Sequence, residues 1–203
     1  MFKKIAIGAL ALIAIFLYVF ISREPSIKNF PSENSGVVAF GDSLVQGVGS
    51  ERGGGFVRIL SEELGVSIEN LGRSGDTTAD ALLRVDQVVE MKPAVTIILL
   101  GGNDFLRQVP ERETEENLEK IIEKIEGGGS AVLLIGIESK LSINDHDELF
   151  ERLVKKYQTA YVSDILDGIF GATQYMSDSL HPNDKGYEIM ANKIKPVLAK
   201  ILD

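Results

Sequence analysis

The sequence predicts an α/β fold in which a parallel sheet is covered by helices on both faces. Three observations carry this. Apolar runs rich in β-branched residues alternate with helix-period patterns along residues 37–201, the order that successive βαβ units produce. The runs at 95–100 and 131–137 are almost uninterruptedly apolar, as in strands buried on both sides. The turns carrying reactive residue types each follow a strand, and ligands of open parallel sheets bind beyond the carboxyl ends of the strands.

In chain order, residues 37–40 read as a first strand and 56–64 as a helix ended by Gly65. A second strand is expected over 66–71, then a helix over 78–91 opened by the capping pattern Thr77-x-x-Asp80. Residues 95–100 form the third strand. Leu118, Ile121, Ile122 and Ile125 have the i, i+3, i+4, i+7 spacing of an amphipathic helix, which stops at Gly127-Gly128-Gly129. Residues 131–137 make a fourth strand, 149–157 a helix and 160–162 a short fifth strand. Tyr187, Met190, Ile194, Val197, Leu198 and Ile201 mark the apolar stripe of a final helix, which Pro196 is expected to kink.

The chain begins differently. Met1-Phe2-Lys3-Lys4 precedes 17 residues, 5–21, without a charge. As a helix this run reaches about 25 Å, near the lower limit for spanning a bilayer. Its end, Leu17-Tyr18-Val19-Phe20-Ile21, is bulky where a cleavable signal has small residues. Residues 1–22 are therefore expected to be an uncleaved anchor, with a cleaved secretory signal as the alternative. Lys3 and Lys4 would keep the N-terminus inside and the domain, residues 36–203, outside the cytoplasm. Residues 23–35, with Pro25, Pro31 and several serines, read as a linker.

The composition narrows the function. A net charge of −9 opposes binding to nucleic acid. With no cysteine, disulfides, thiolate metal sites and a cysteine nucleophile are excluded. Gly47-Val48-Gly49 lacks the third glycine of a dinucleotide loop, because Arg52 stands there. His146, in Asn144-Asp145-His146-Asp147-Glu148, fits a solvated acidic loop better than a metal site.

Two distant segments instead suggest one active site. Gly41-Asp42-Ser43-Leu44 follows the first strand, and Asp178-Ser179-Leu180-His181-Pro182 lies near the C-terminus. A serine hydroxyl attacks at neutral pH only when a base takes its proton, and a carboxylate best fixes that base's tautomer. Ser43, His181 and Asp178 supply these roles. Backbone N–H groups at Ser43 and Gly72, with the side-chain amide of Asn103, are candidate donors to the oxyanion formed by the attack.

Taken in order, Ser43, Gly72, Asn103 and His181 resemble the four blocks of the GDSL or SGNH hydrolase family. The likeness is strongest to the branch of thioesterase I, arylesterase and lysophospholipase L1. Gly75-Asp76-Thr77-Thr78-Ala79, Leu106-Arg107, His181-Pro182-Asn183 and Gly186-Tyr187 extend it. The resemblance implies a flavodoxin-like three-layer α/β/α sandwich with a five-stranded parallel sheet. It also implies an acyl-enzyme mechanism with no metal or organic cofactor, acting on small-molecule or lipid acyl esters. Phe105 stands where relatives usually have a small residue and is expected to border the acyl pocket. Two other readings are an O-deacetylase of cell-envelope carbohydrate and a catalytically silent, membrane-tethered binding domain.

Overall fold

In the computed structural model the described residues are 26–137 and 146–203. Five parallel strands form one sheet: β1 (Val37–Gly41), β2 (Ile68–Gly72), β3 (Val95–Leu99), β4 (Ala131–Ile135) and β5 (Ala160–Val162). Their spatial order is β2-β1-β3-β4-β5, so the chain reverses its direction of travel between β1 and β3, where such sheets hold ligands. The expected anchor, residues 1–22, lies outside the described residues. Among those described, no helix is long and apolar enough to cross a membrane.

Among the described residues eight α-helices flank the strands, seven in the connections and the last after β5: α1 (Ser43–Gln46), α2 (Gly55–Leu64), α3 (Thr78–Leu82), α4 (Asp86–Met91), α5 (Gly102–Leu106), α6 (Glu111–Gly127), α7 (His146–Tyr157) and α8 (Asp184–Lys200). The sheet is buried on both sides because alternate strand residues point to opposite faces. Val37, Ala39, Ile97 and Leu133 pack with Phe56, Leu60, Met190 and Ile194 of α2 and α8. Val38, Phe40, Ile98 and Leu134 pack with Val88, Ile121, Ile122 and Leu153 of α4, α6 and α7. These two cores make the three-layer sandwich.

Several boundaries differ from expectation. The second strand starts at Ile68, not Val66, because the Val66 carbonyl accepts the Ser61 hydroxyl at 2.6 Å and completes the turn out of α2. The capping box at Thr77 and Asp80 forms. The single helix expected over 78–91 is nevertheless two, α3 and α4, parted at residues 83–85, where Arg84 turns inward. The last helix starts at Asp184, capped by the Asn183 side chain, and runs through Pro196 as one element. His146 opens α7 instead of lying in a loop, and its side chain is outside the described residues.

The expected linker, in its described part, is not free chain. The Lys28 N–H donates to the Gln158 carbonyl at 3.0 Å. Asn29 Nδ2 donates to the carbonyls of Glu126 and Ser130, Ser32 Oγ to that of Gly129, and Asn34 Nδ2 to that of Gly128. Lys28 Nζ also pairs with the buried Glu126 carboxylate at 2.6 Å. These partners immediately precede β4 and β5. The strap therefore binds the amino edge of the sheet, opposite the carboxyl edge that carries the reactive turns.

Candidate active site

Strand β1 ends against α1, and the turn between them presents Ser43. Asp42 caps α1, its Oδ1 accepting the Leu44 N–H at 2.9 Å. This short turn aims the Ser43 hydroxyl at the carboxyl edge of the sheet. His181 arrives from the other end of the chain, in the loop before α8. Its Nε2 lies 3.1 Å from Ser43 Oγ, and its Nδ1 lies 2.8 Å from Asp178 Oδ2. A carboxylate beside Nδ1 keeps the proton on that nitrogen and leaves the Nε2 lone pair facing the serine.

The His181 loop is itself fastened. Asp178 Oδ1 accepts the N–H groups of Leu180 and His181 at 2.7 and 2.8 Å. The His181 ring, followed by these backbone donors, holds the Asp178 carboxyl down at about 2, below the usual carboxylate range. Behind the loop, Tyr187 Oη donates to the Val48 carbonyl at 2.7 Å, joining α8 to the chain beyond α1.

Asn103 stands in the first turn of α5, after β3. Its Nδ2 donates to the Asp76 carbonyl at 2.9 Å and contacts Asp42 Oδ2 at 3.3 Å. Burial raises the Asp42 carboxyl to about 6, against the lowering effects of the Leu44 N–H and His181. Asp104, also buried, accepts the Thr78 N–H and hydroxyl and so fixes α5 to the start of α3. Asp42 and Asp104 thus hold loops together, as their positions beside the turns suggest.

Gly72 does not serve as expected. Its N–H donates to Asn70 Oδ1 at 2.9 Å and is already committed. Its glycine identity has another cause: a Cβ there would meet the Gln46 backbone nitrogen at 2.1 Å, where α1 crosses the end of β2. The better-placed glycine is Gly75, three residues further along. It takes φ +84°, which favours glycine. Its carbonyl accepts Arg107 Nη2, and the next carbonyl, of Asp76, accepts Asn103. Among the described residues the N–H groups of Gly75 and Ser43 have no hydrogen-bond partner. The run Ser74-Gly75-Asp76 was the available signal. Its proximity to Asn103 comes from the loop after β2 and could not be read from spacing.

Beside Ser43 and His181 opens a cavity of about 250 Å³. Phe105, Leu106, Ile137, Phe150, Leu166 and Phe170 make its wall chiefly apolar, and Phe105 lies on it as expected. Leu106, Phe170 and Leu180 keep large apolar surface exposed at this site. Among the described residues no group of acidic or histidine side chains could hold a metal ion.

The sequence profile of the GDSL-like lipase/acylhydrolase family matches residues 39–189. The chain is 29% identical over 178 residues to Esterase TesA of Pseudomonas aeruginosa, covering 82% of this chain and 89% of that protein. It is 23% identical to Thioesterase 1/protease 1/lysophospholipase L1 of Escherichia coli, covering 80% and 84% respectively. The crystal structure of TesA superposes with a TM-score of 0.75, covering 82% of this chain and 99% of that one. The SGNH-hydrolase family esterase AlinE4, 30% identical, gives 0.65 over 84% and 98%.

Proposed function

Because the chain belongs to the GDSL-like lipase/acylhydrolase family and is an ester-hydrolysing enzyme, we propose that Ser43, His181 and Asp178 carry its reaction on short- to medium-chain acyl esters. The carrying observation is the continuous relay from Ser43 Oγ to His181 Nε2 at 3.1 Å and from His181 Nδ1 to Asp178 at 2.8 Å. Ser43 Oγ attacks the carbonyl carbon while Nε2 takes its proton. As the tetrahedral intermediate collapses, Nε2 returns that proton to the leaving alcohol or thiol oxygen or sulfur, and the acyl group stays on Ser43. Water then attacks the acyl-enzyme with His181 again as base, releasing the acid and restoring the serine.

The developing oxyanion is met by the Ser43 and Gly75 N–H groups and by Asn103 Nδ2, which exchanges its long 3.3 Å contact with Asp42 Oδ2 for the oxyanion while keeping its bond to the Asp76 carbonyl. Each donor is worth on the order of 10²–10³ in rate. The apolar cavity beside Ser43 favours an acyl chain over the acetyl group of a glycan. The geometry of the relay speaks against a silent binding domain. We further assign residues 5–21 to a membrane anchor that holds the enzyme outside the cytoplasm. The support for this is the uncharged run behind Lys3 and Lys4.

A panel of p-nitrophenyl esters from acetyl to palmitoyl, set against O-acetylated glycans, tests the assignment. Higher kcat/KM on butyryl to octanoyl esters than on any acetylated glycan is expected. Release of acetate from glycan with little activity on the longer esters would contradict it.

A further inference from the structure

Arg84 sits in the turn between α3 and α4 with its side chain only 10% exposed, although acyl transfer asks for no cation there. Its nitrogens reach three segments of the catalytic edge. Nε donates to Asp76 Oδ2 at 2.6 Å, Nη1 to the Leu71 carbonyl at 2.9 Å and Nη2 to the Gly41 carbonyl at 2.8 Å. The guanidinium also lies over the Phe40 ring, 4.4 Å from its centroid.

Each partner borders a reacting group. Gly41 precedes the Asp42-Ser43 turn. Leu71 lies near the end of β2, where the loop to Gly75 departs. Asp76 follows Gly75, and its carbonyl accepts the Asn103 amide. Burying a cation is costly without full pairing. Here the cost is offset by a buried carboxylate and two carbonyls at strand ends. Only the rigid fork of arginine can serve all three at once, and its plane can stack on Phe40. Arg73 also approaches Asp76, at 3.8 Å, but its side chain is 73% exposed and holds it weakly.

We propose that Arg84 is a positioning residue of the oxyanion site, clamping the Gly75-Asp76 loop to the Ser43 turn so that the three donors bear on one oxygen. This rests on the reading of Ser43 as nucleophile given above. Loosening the clamp weakens interactions made as charge develops, so the loss falls on kcat. Most of the apolar wall of the acyl pocket (Phe105, Leu106, Ile137, Phe150, Leu166 and Phe170) comes from segments that Arg84 does not touch, so KM changes little.

The test uses Arg84→Lys and Arg84→Ala, with active sites titrated by a fluorophosphonate probe so that only folded sites are counted. On the best p-nitrophenyl ester, kcat per titrated site should fall about 10²-fold with KM within a few-fold. Millimolar guanidinium should restore part of kcat in the alanine variant. A kcat per site close to wild type in Arg84→Lys, or a raised KM at unchanged kcat, overturns the proposal while leaving Ser43 in place. If the alanine variant does not fold, the lysine variant decides. Absence of probe labelling at Ser43 in the wild type would remove the reading of the site and this proposal with it.

Discussion

Asp178 keeps its charge over the whole range in which an esterase works. Its side chain is 53% exposed, but the His181 ring and two backbone N–H groups hold its carboxyl at about 2. A carboxyl depressed in the folded state stabilises above its ordinary range and loses that contribution only as pH falls through the lowered value. The orienting bond to His181 therefore persists at pH 4 as at pH 9. Asp178→Asn puts an amide where Nδ1 needs an acceptor and favours the wrong tautomer, so kcat should fall about 10⁴-fold. The loss should appear at every pH at which the wild type is active. Recovery of wild-type activity at high pH would contradict this role. The convergence of Ser43, Asn103, Asp178 and His181 was legible in the sequence because Ser43 and Asn103 stand in turns after strands and Asp178 and His181 offer a carboxylate and a base three residues apart. The glycine proposed for the oxyanion was not: the Asn70 side chain occupies the Gly72 N–H, and a loop conformation presents Gly75. Arg84 was hidden for a related reason. On a helix-period pattern a cation defaults to the solvent face, and only the strand-end carbonyls show why this one is inside.

At the scale of elements, strands and their order of appearance were read well because both faces of the sheet are buried. The departures occur where side chains compete with the backbone. Ser61 delays β2 by capturing the Val66 carbonyl, and Arg84 parts α3 from α4. The short helix α5 carries three distinct tasks on five residues: Asn103 toward the proposed oxyanion site, Asp104 toward α3, and Phe105 with Leu106 onto the apolar cavity. Phe105 occupies volume that an acyl chain could use. Phe105→Gly should extend the preferred chain, and each newly accommodated methylene contributes about 0.8 kcal/mol, close to fourfold in kcat/KM. A series of p-nitrophenyl esters compared between wild type and variant checks this. An unchanged chain-length profile would show that Phe105 does not limit the pocket.

Across the whole molecule, the strap and the active site occupy opposite edges of the sheet, separated by strands about 17 Å long. The sequence suggested a linker of free coil, since prolines and serines do not reveal that Asn29, Ser32 and Asn34 find carbonyls beneath β4 and β5. From Ile21 to the first strap contact at Lys28, the chain can extend about 25 Å at most. An anchor at residues 5–21 would thus join the domain on the side opposite the catalytic mouth. The full chain should sediment with membranes and hydrolyse p-nitrophenyl butyrate with the same kcat/KM as a chain beginning at Ser26. A full chain found wholly in the soluble fraction would contradict the anchor. The site itself is a product of the fold, since Ser43 and His181 are 138 positions apart and meet only when β1 and the loop before α8 share an edge. Covalent labelling reads that convergence directly. A fluorophosphonate should modify wild-type protein at Ser43 alone, as mapped by peptide mass spectrometry. Labelling should be abolished in a folded Ser43→Ala variant and slowed by orders of magnitude in His181→Ala. An adduct on any other residue, or undiminished labelling without Ser43, would contradict the account.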